Sequence, residues 1–415
     1  MILIVISDFM QDEIYLNEEI KYYHGFDRIL YYSTKGHVYS NEHLKLQNGV
    51  ENGEQSIFYN NAFDRIYYLF KGIASKSGVE ELIYILQNKN MSGFVIKSFS
   101  LFTAKGQLLF QHIRNDLQKR GIDRTEKIVF YSYRLGIGTY AAILLKKYFN
   151  NSKVISRAHG QDLFQFRNKY DYLPYRKFLL KNLARLFCIS ENGKEYIVSK
   201  YPAIKYKVEV ARLGTREPGR NKHLSNNTLV VVSCSRISRI KRIDLIAKAL
   251  CRMNDIKIEW IHFGDGDEEY QREILNVLKG KPENLEVVFK GFVSNDKLRD
   301  IYKNMEATLF INLSESEGLP VSIMEAESVG MPIIATNVGG SSEAVVNGKN
   351  GFLLSDNPAL DEVEKAIRHF ILMNKSDYQK FCDCSYEIWK NKFDVDKNYK
   401  VFSDKIETVG LNFHA

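Results

Sequence analysis

At 415 residues, with 45% hydrophobic and 26% charged side chains, the chain has the composition of a globular protein with apolar mass for two domains. Its net charge of +8 is uneven: residues 101–220 hold 24 Lys/Arg against 9 Asp/Glu, while residues 1–100 are slightly acidic. Such a block points to nucleic acid, a phosphorylated ligand or an anionic membrane surface, or else to a plain solvated face. No run approaches the ~18 apolar residues of a spanning helix, and the N-terminal ILIVIS run is too short and wrongly flanked for a signal peptide.

In chain order, the apolar, β-rich runs at 2–7, 28–33, 65–70, 127–133, 153–156 and 184–190 read as strands. A second set follows at 228–235, 257–264, 285–291, 307–314, 332–337 and 351–355. Helical spacing appears between them, as in IDLIAKALCRM (243–253) and DEEYQREILNVLKG (267–280). This alternation predicts an α/β protein of two Rossmann-like, doubly wound domains meeting at a cleft, with ligands beyond the carboxyl ends of the strands. The polar stretch GTREPGRNKHLSNN (214–227) is the linker candidate. The expected limits are 1–214, 215–390, and a C-terminal helix over 391–415 packing back on the first domain. The five cysteines read as thiols in a reducing cytoplasm, and Cys382-x-Cys384 lacks the second pair that a zinc site needs.

The most informative stretch is SESEGLPVSIMEAESVGMP (314–332). Pro320 suits a helix start, Gly318 allows close backbone approach, and Leu319 lies between them. The free N–H groups of that start suit a phosphate. Glu325, five residues in, lies about 7–8 Å along the axis, near the span from a diphosphate to the far hydroxyls of an attached ribose. Glu317 stays at the phosphate end, where a transferred sugar would sit. Taken singly, each glutamate also reads as an ordinary helix-start acid or surface residue. After strand 228–235 come Arg236 and Lys241, cations that can hold a diphosphate as it leaves. Gly339 and Gly340 end another strand at the same edge. Asp265-Gly266-Asp267 follows a strand and opens a helix; there Gly264 makes the turn and Asp267 caps, so it is not read as a metal site. In the first half, VISRAHGQDLFQF places His159 and Gly160 just past a strand, and an exposed histidine there can donate a proton or hydrogen bond. YLPYRKFLLKNLARLF (172–187) could lie on anionic lipid, or simply pack its leucines on the sheet.

The pieces CSRISRIKRIDLIAKAL, HFGDGDEEYQREI, FKGFVSNDKLRDIY and SESEGLPVSIMEAESVGMPIIATNVGGSSEAVVNGKNGFLL resemble glycosyltransferase family 4, retaining enzymes of the GT-B fold, in order and spacing over most of residues 228–405. The resemblance implies that Glu325 holds the ribose, Glu317 contacts the transferred sugar, Arg236 and Lys241 bind the diphosphate, and Ser341 or its neighbours touch phosphate. The R-x-H-G-x-D stretch resembles bacterial polysaccharide transferases, in which His159 faces the donor while Arg157 and Asp162 organise the loop or contact acceptor. Arg134 stands where an aromatic residue is expected, and the first loop lacks the Gly-Gly pair that many members carry. The implied reaction moves a sugar from a UDP- or GDP-linked donor, with no cofactor and no metal. The implied acceptor is a glycan or lipid-linked hydroxyl in surface-polysaccharide synthesis at the inner membrane face. No nucleic-acid module accompanies the basic block. A non-catalytic GT-B subunit that stabilises a partner transferase is the competing reading.

Overall fold

The valine- and isoleucine-rich runs form two parallel sheets. The structure, a computed structural model, describes residues 1–7, 12–34, 50–53, 62–88, 92–221 and 228–411. The first sheet contains β1 (Ile2–Ser7), β2 (Arg28–Ser33), β3 (Val50–Asn52), β4 (Ile128–Ser132), β5 (Ser152–Ala158), β6 (Arg185–Cys188) and β7 (Val208–Val210). Its strand order is β3-β2-β1-β4-β5-β6-β7. The second contains β8 (Leu229–Cys234), β9 (Ile258–Phe263), β10 (Leu285–Phe289), β11 (Leu309–Asn312), β12 (Ile333–Thr336) and β13 (Gly351–Leu354), in the order β10-β9-β8-β11-β12-β13. Every pairing between these strands is parallel. Each sheet reverses direction once, between β1 and β4 and between β8 and β11, and such switch points are where open α/β sheets receive ligands.

The strands are buried on both faces, as crossover helices require. In β1, Ile2, Ile4 and Ile6 enter one apolar cluster while Leu3 and Val5 enter another. The final helix, Val395–Leu411, sets Phe402 and Ile406 in that second cluster beside Tyr131 and Phe187.

Two compact units result: Met1–Ala211 with Tyr399–Ala415, and Arg212–Asn398. These limits differ from the 214/215 and 390/391 breaks expected from sequence. Residues 212–215 belong to the second unit because Arg212 pairs with Glu343 at 2.8 Å and the Asn398 amide donates to the Leu213 carbonyl at 2.9 Å. The described part of the linker candidate is also tied down, with Asn221 N–H donating to Val329 at 3.0 Å; residues 222–227 lie outside the described residues.

One strand expectation fails. RIYYLF (65–70) is part of the helix Ala62–Ile73, because Phe63, Ile66, Tyr67 and Phe70 repeat at helical spacing, which outweighs β-propensity over six residues. The three-residue strands β3 and β7 escape any sequence pattern. All five cysteines are free, and Cys382 is buried.

Candidate functional site

In the second unit the site grows from the ends of β8 and β11, adjacent strands at the switch point. After β8 the chain passes Arg236, which is exposed, and makes a 3₁₀ turn at Arg239–Lys241. After β11 it turns through Ser314, whose hydroxyl donates to Asn312 Oδ1 at 2.6 Å. The Glu315 N–H donates to the Ile240 carbonyl at 2.8 Å and locks the two loops together. That lock brings Lys241 Nζ to 2.7 Å from Glu317 Oε1, and Asn312 Nδ2 donates to the same oxygen at 3.3 Å. Burial pushes the Glu317 carboxyl up, but the Lys241 ammonium and the hydrogen bonds around it outweigh burial and hold it below its usual range.

A third loop closes the floor. Gly340 N–H donates to the Gly318 carbonyl at 3.1 Å, and a Cβ on Gly339 would fall 1.7 Å from the Glu317 carbonyl oxygen. With φ at +54°, Gly339 is both conformationally and sterically required. Gly339→Ala is expected to destabilise the fold by about 2–4 kcal/mol in chemical denaturation. A loss below about 0.5 kcal/mol would mean that the loop contact is not rigid.

The helix Val321–Ser328 starts at this floor. Pro320 is its N-cap, just outside the first turn where the sequence reading put it, and no side chain caps the free N–H groups. Leu319 is buried beneath them. Glu325 is the fifth helical residue and is almost wholly buried, and its Oε1 has no hydrogen-bond partner. Burial raises its pKa to about 7. Cys234 and Tyr302 lie beside it: burial and the Glu325 carboxylate push the thiol up to about 12, and burial, Cys234 and Glu325 push the phenol up. Sequence reading missed both neighbours and Asn312. Only Asn312, a polar residue closing an apolar strand, carried a local signal. Ser341, at the start of the short helix Ser341–Ala344, also has a buried hydroxyl without a partner.

The Asp265–Asp267 segment behaves as read. Asp267 caps the helix Glu268–Leu278 by accepting from Tyr270 N–H at 3.0 Å. Gly264, at φ +130°, lies so close to Ser235 that a Cβ would sit 2.0 Å from its carbonyl oxygen.

In the first unit, His159 and Gly160 sit at the carboxyl end of β5, as expected, but the histidine is buried, not exposed. Its ring lies 4.7 Å from the Tyr133 ring, and neither ring nitrogen has a hydrogen-bond partner. Burial, then Arg134 and Arg157, depress its pKa well below the ordinary value, so near neutral pH the ring is uncharged. It can donate an N–H bond but is no store of a proton. Asp162 organises the loop, accepting from Leu135 N–H at 2.8 Å and His159 N–H at 3.0 Å, with Arg134 at 3.4 Å. Arg157 is fully buried, paired with Glu19 and 3.9 Å over the Phe402 ring; it organises and has no surface to offer an acceptor.

In the 172–187 segment the apolar side is internal, while Lys177 and Lys181 are exposed. Leu179 and Leu180 are core residues, buried Arg176 donates to the Asp162 carbonyl, and Arg185 pairs with Glu209 at 3.3 Å. Of the cations in the basic block, Arg157, Arg176 and Lys207 are buried, and half are exposed. The first loop, 8–11, lies outside the described residues.

Residues 215–382 match the family model of glycosyl transferases group 1. That match covers the switch-point loops, both glutamates and both cations. The chain is 29% identical over 139 residues to sulfoquinovosyl transferase SQD2 of Arabidopsis thaliana, covering 33% of this chain and 25% of that protein. It is 22% identical over 238 residues to the putative colanic acid biosynthesis glycosyltransferase WcaL of Escherichia coli K12, covering 56% of this chain and 58% of that one. The chain spans less than two thirds of the length of the curated relatives it matches first. Anabaena Alr3699/HepE, solved in complex with UDP, superposes with a TM-score of 0.67 over 98% of this chain and all of that one, at 16% identity. The fold is GT-B: two Rossmann-like α/β domains on parallel sheets.

Proposed function

We propose that the protein is a retaining glycosyltransferase of family 4, which moves a sugar from a UDP- or GDP-linked donor to an acceptor hydroxyl. The carrying observation is the pair of buried glutamates around an uncapped helix start: Glu317 held by Lys241, and Glu325 with an unsatisfied oxygen. In this reading the Glu325 carboxylate accepts from the ribose diol, and the helix N-terminus and Ser341 receive the diphosphate. Glu317, fixed by Lys241 and Asn312, faces the sugar. The bond from the anomeric carbon to the diphosphate oxygen breaks, and the acceptor oxygen bonds to the same face of that carbon. The acceptor proton passes to the departing phosphate oxygen. Negative charge growing on the diphosphate is held by Arg236, Lys241 and the helix dipole.

WcaL is named for colanic acid biosynthesis, and HepE has been solved with UDP-glucose. The first name favours an acceptor in bacterial surface-polysaccharide synthesis, and the second favours a UDP-linked donor. The test is a thermal-shift screen of nucleoside diphosphates and nucleotide sugars on wild type and Glu325→Ala. A ligand at 100 times its Kd stabilises by about 2.7 kcal/mol, a rise of several degrees. Wild type is expected to respond to one base and Glu325→Ala to lose that response. If no nucleotide shifts the wild type, the reading is wrong.

A further inference from the structure

The helix Ala62–Ile73 carries its apolar stripe on the outside. Phe63, Ile66, Tyr67 and Phe70 fall at i, i+3, i+4 and i+7, and all are exposed, from 52% at Ile66 to 82% at Phe63. The inward contact is made instead by Gly72, where a Cβ would lie 2.2 Å from the Thr103 methyl on the helix Gly93–Lys119. The next helix, Lys76–Asn88, repeats the pattern with exposed Val79, Ile83 and Leu86 at i, i+4 and i+7. Helix Ala62–Ile73 packs against both of these neighbours, and the start of Gly93–Lys119 adds exposed Phe94 and Leu101. Isolated exposed apolar side chains mean little. Here, among the described residues, ten of the twenty large apolar side chains that are exposed lie between Phe63 and Leu101.

Cations are interleaved with this apolar face. Lys71, Lys76 and Lys97 are exposed on the same helices, Lys71 following Phe70 and Lys97 following Ile96. Lys169 Nζ stands 5.3 Å from the Phe94 ring. The exposed acids in the described parts of 62–105 are Asp64 and Glu80. Lysines are depleted from the centre of protein–protein interfaces, which argues against a second copy as the occupant. At a bilayer the same lysines extend to the headgroups while aromatic and aliphatic groups enter the acyl boundary.

We propose that this three-helix face of the first unit docks on an anionic bilayer. The basic 172–187 segment borders this face, with the exposed Lys177 Nζ 5.0 Å from the Tyr84 ring and the Tyr172 hydroxyl donating to Glu81 at 2.9 Å, and among the described residues no helix is long and apolar enough to cross. The docking rests on its own observations; that it presents a lipid-linked acceptor to the enzyme rests on the transferase reading. The test is flotation with vesicles of phosphatidylcholine alone and of phosphatidylcholine mixed with phosphatidylglycerol. Wild type is expected to float with the mixed vesicles and to be released by salt. The triple variant Phe63→Ser, Ile66→Ser, Phe70→Ser and the double variant Lys71→Glu, Lys97→Glu should each bind at least about tenfold more weakly. All five side chains are exposed, so an unchanged melting temperature and nucleotide response would show that the fold is intact. Three outcomes would overturn the docking: wild type that ignores anionic vesicles, a triple variant that floats equally well, or a wild-type dimer in light scattering that the triple variant dissolves. A missing nucleotide response beside intact flotation would count against the transferase reading alone.

Discussion

Lys241→Ala is expected to lower sugar transfer by about 10²–10³-fold and to destabilise the protein by about 3 kcal/mol. The two losses have different origins. The kinetic loss comes from removing a cation at the leaving diphosphate. The stability loss comes from stranding Glu317, a buried carboxylate whose oxygen now lies 2.7 Å from the ammonium. The losses can be separated by adding Glu317→Gln. A neutral amide no longer needs the cation, so the double variant should regain most of the stability and none of the activity. If stability does not recover, the pair is not the source of the loss. The acid side follows from the same contact. Glu317 has a depressed pKa in the fold, so its stabilisation is present above the ordinary value of 4.5 and is lost as pH falls through the folded value.

The second large effect concerns Glu325, and it has the opposite sign. Burial raises this carboxyl from 4.5 to about 7, so the folded protein binds a proton that the unfolded chain has released. Stability of the free protein should therefore fall as pH rises from about 4.5 to about 7, by roughly 3 kcal/mol in total. Glu325→Gln should remove that slope and melt higher than wild type at pH 8. The carboxylate, in contrast, is the form that accepts from a diol. Nucleotide affinity of wild type should rise about tenfold between pH 6 and pH 8 beyond any change shown by Glu325→Gln. Calorimetric titration of both proteins at the two pH values measures this, and parallel affinity curves would dismiss Glu325 as the ribose contact. A residue that weakens the empty protein and strengthens the loaded one is a functional group by energetics as well as by position.

The places of Arg236, Lys241 and Glu317 in the fold were legible in the sequence because they follow the ends of β8 and β11, which local apolar pattern marks, and that of Glu325 because Pro320 marks the start of its helix. The parallel sheets were legible from the same apolar pattern. The protonation of Glu325 was not legible, since it depends on burial, which outweighs the Arg299 cation, and burial is set by parts of the chain distant in sequence. The sequence reading of His159 placed it correctly at the end of β5 but took it as exposed; only Tyr133 and the cations around it reveal a neutral ring. RIYYLF was misread because six residues of high β-propensity conceal a stripe that becomes visible only over a whole helix. That same stripe is the apolar face now assigned to lipid.

The seating of Phe402 and Ile406 among Leu3, Val5 and Tyr131 bears on how the polypeptide matures. The first unit opens with the chain's second residue, yet its inner layer is incomplete until synthesis has passed residue 406. The second unit, by contrast, is contiguous, and its last strand ends at Leu354. The second unit is complete at Asn398, and the first only once the residues from Phe402 to Ile406 cover the Leu3 and Val5 face of β1. The order of completion thus runs opposite to the order of synthesis.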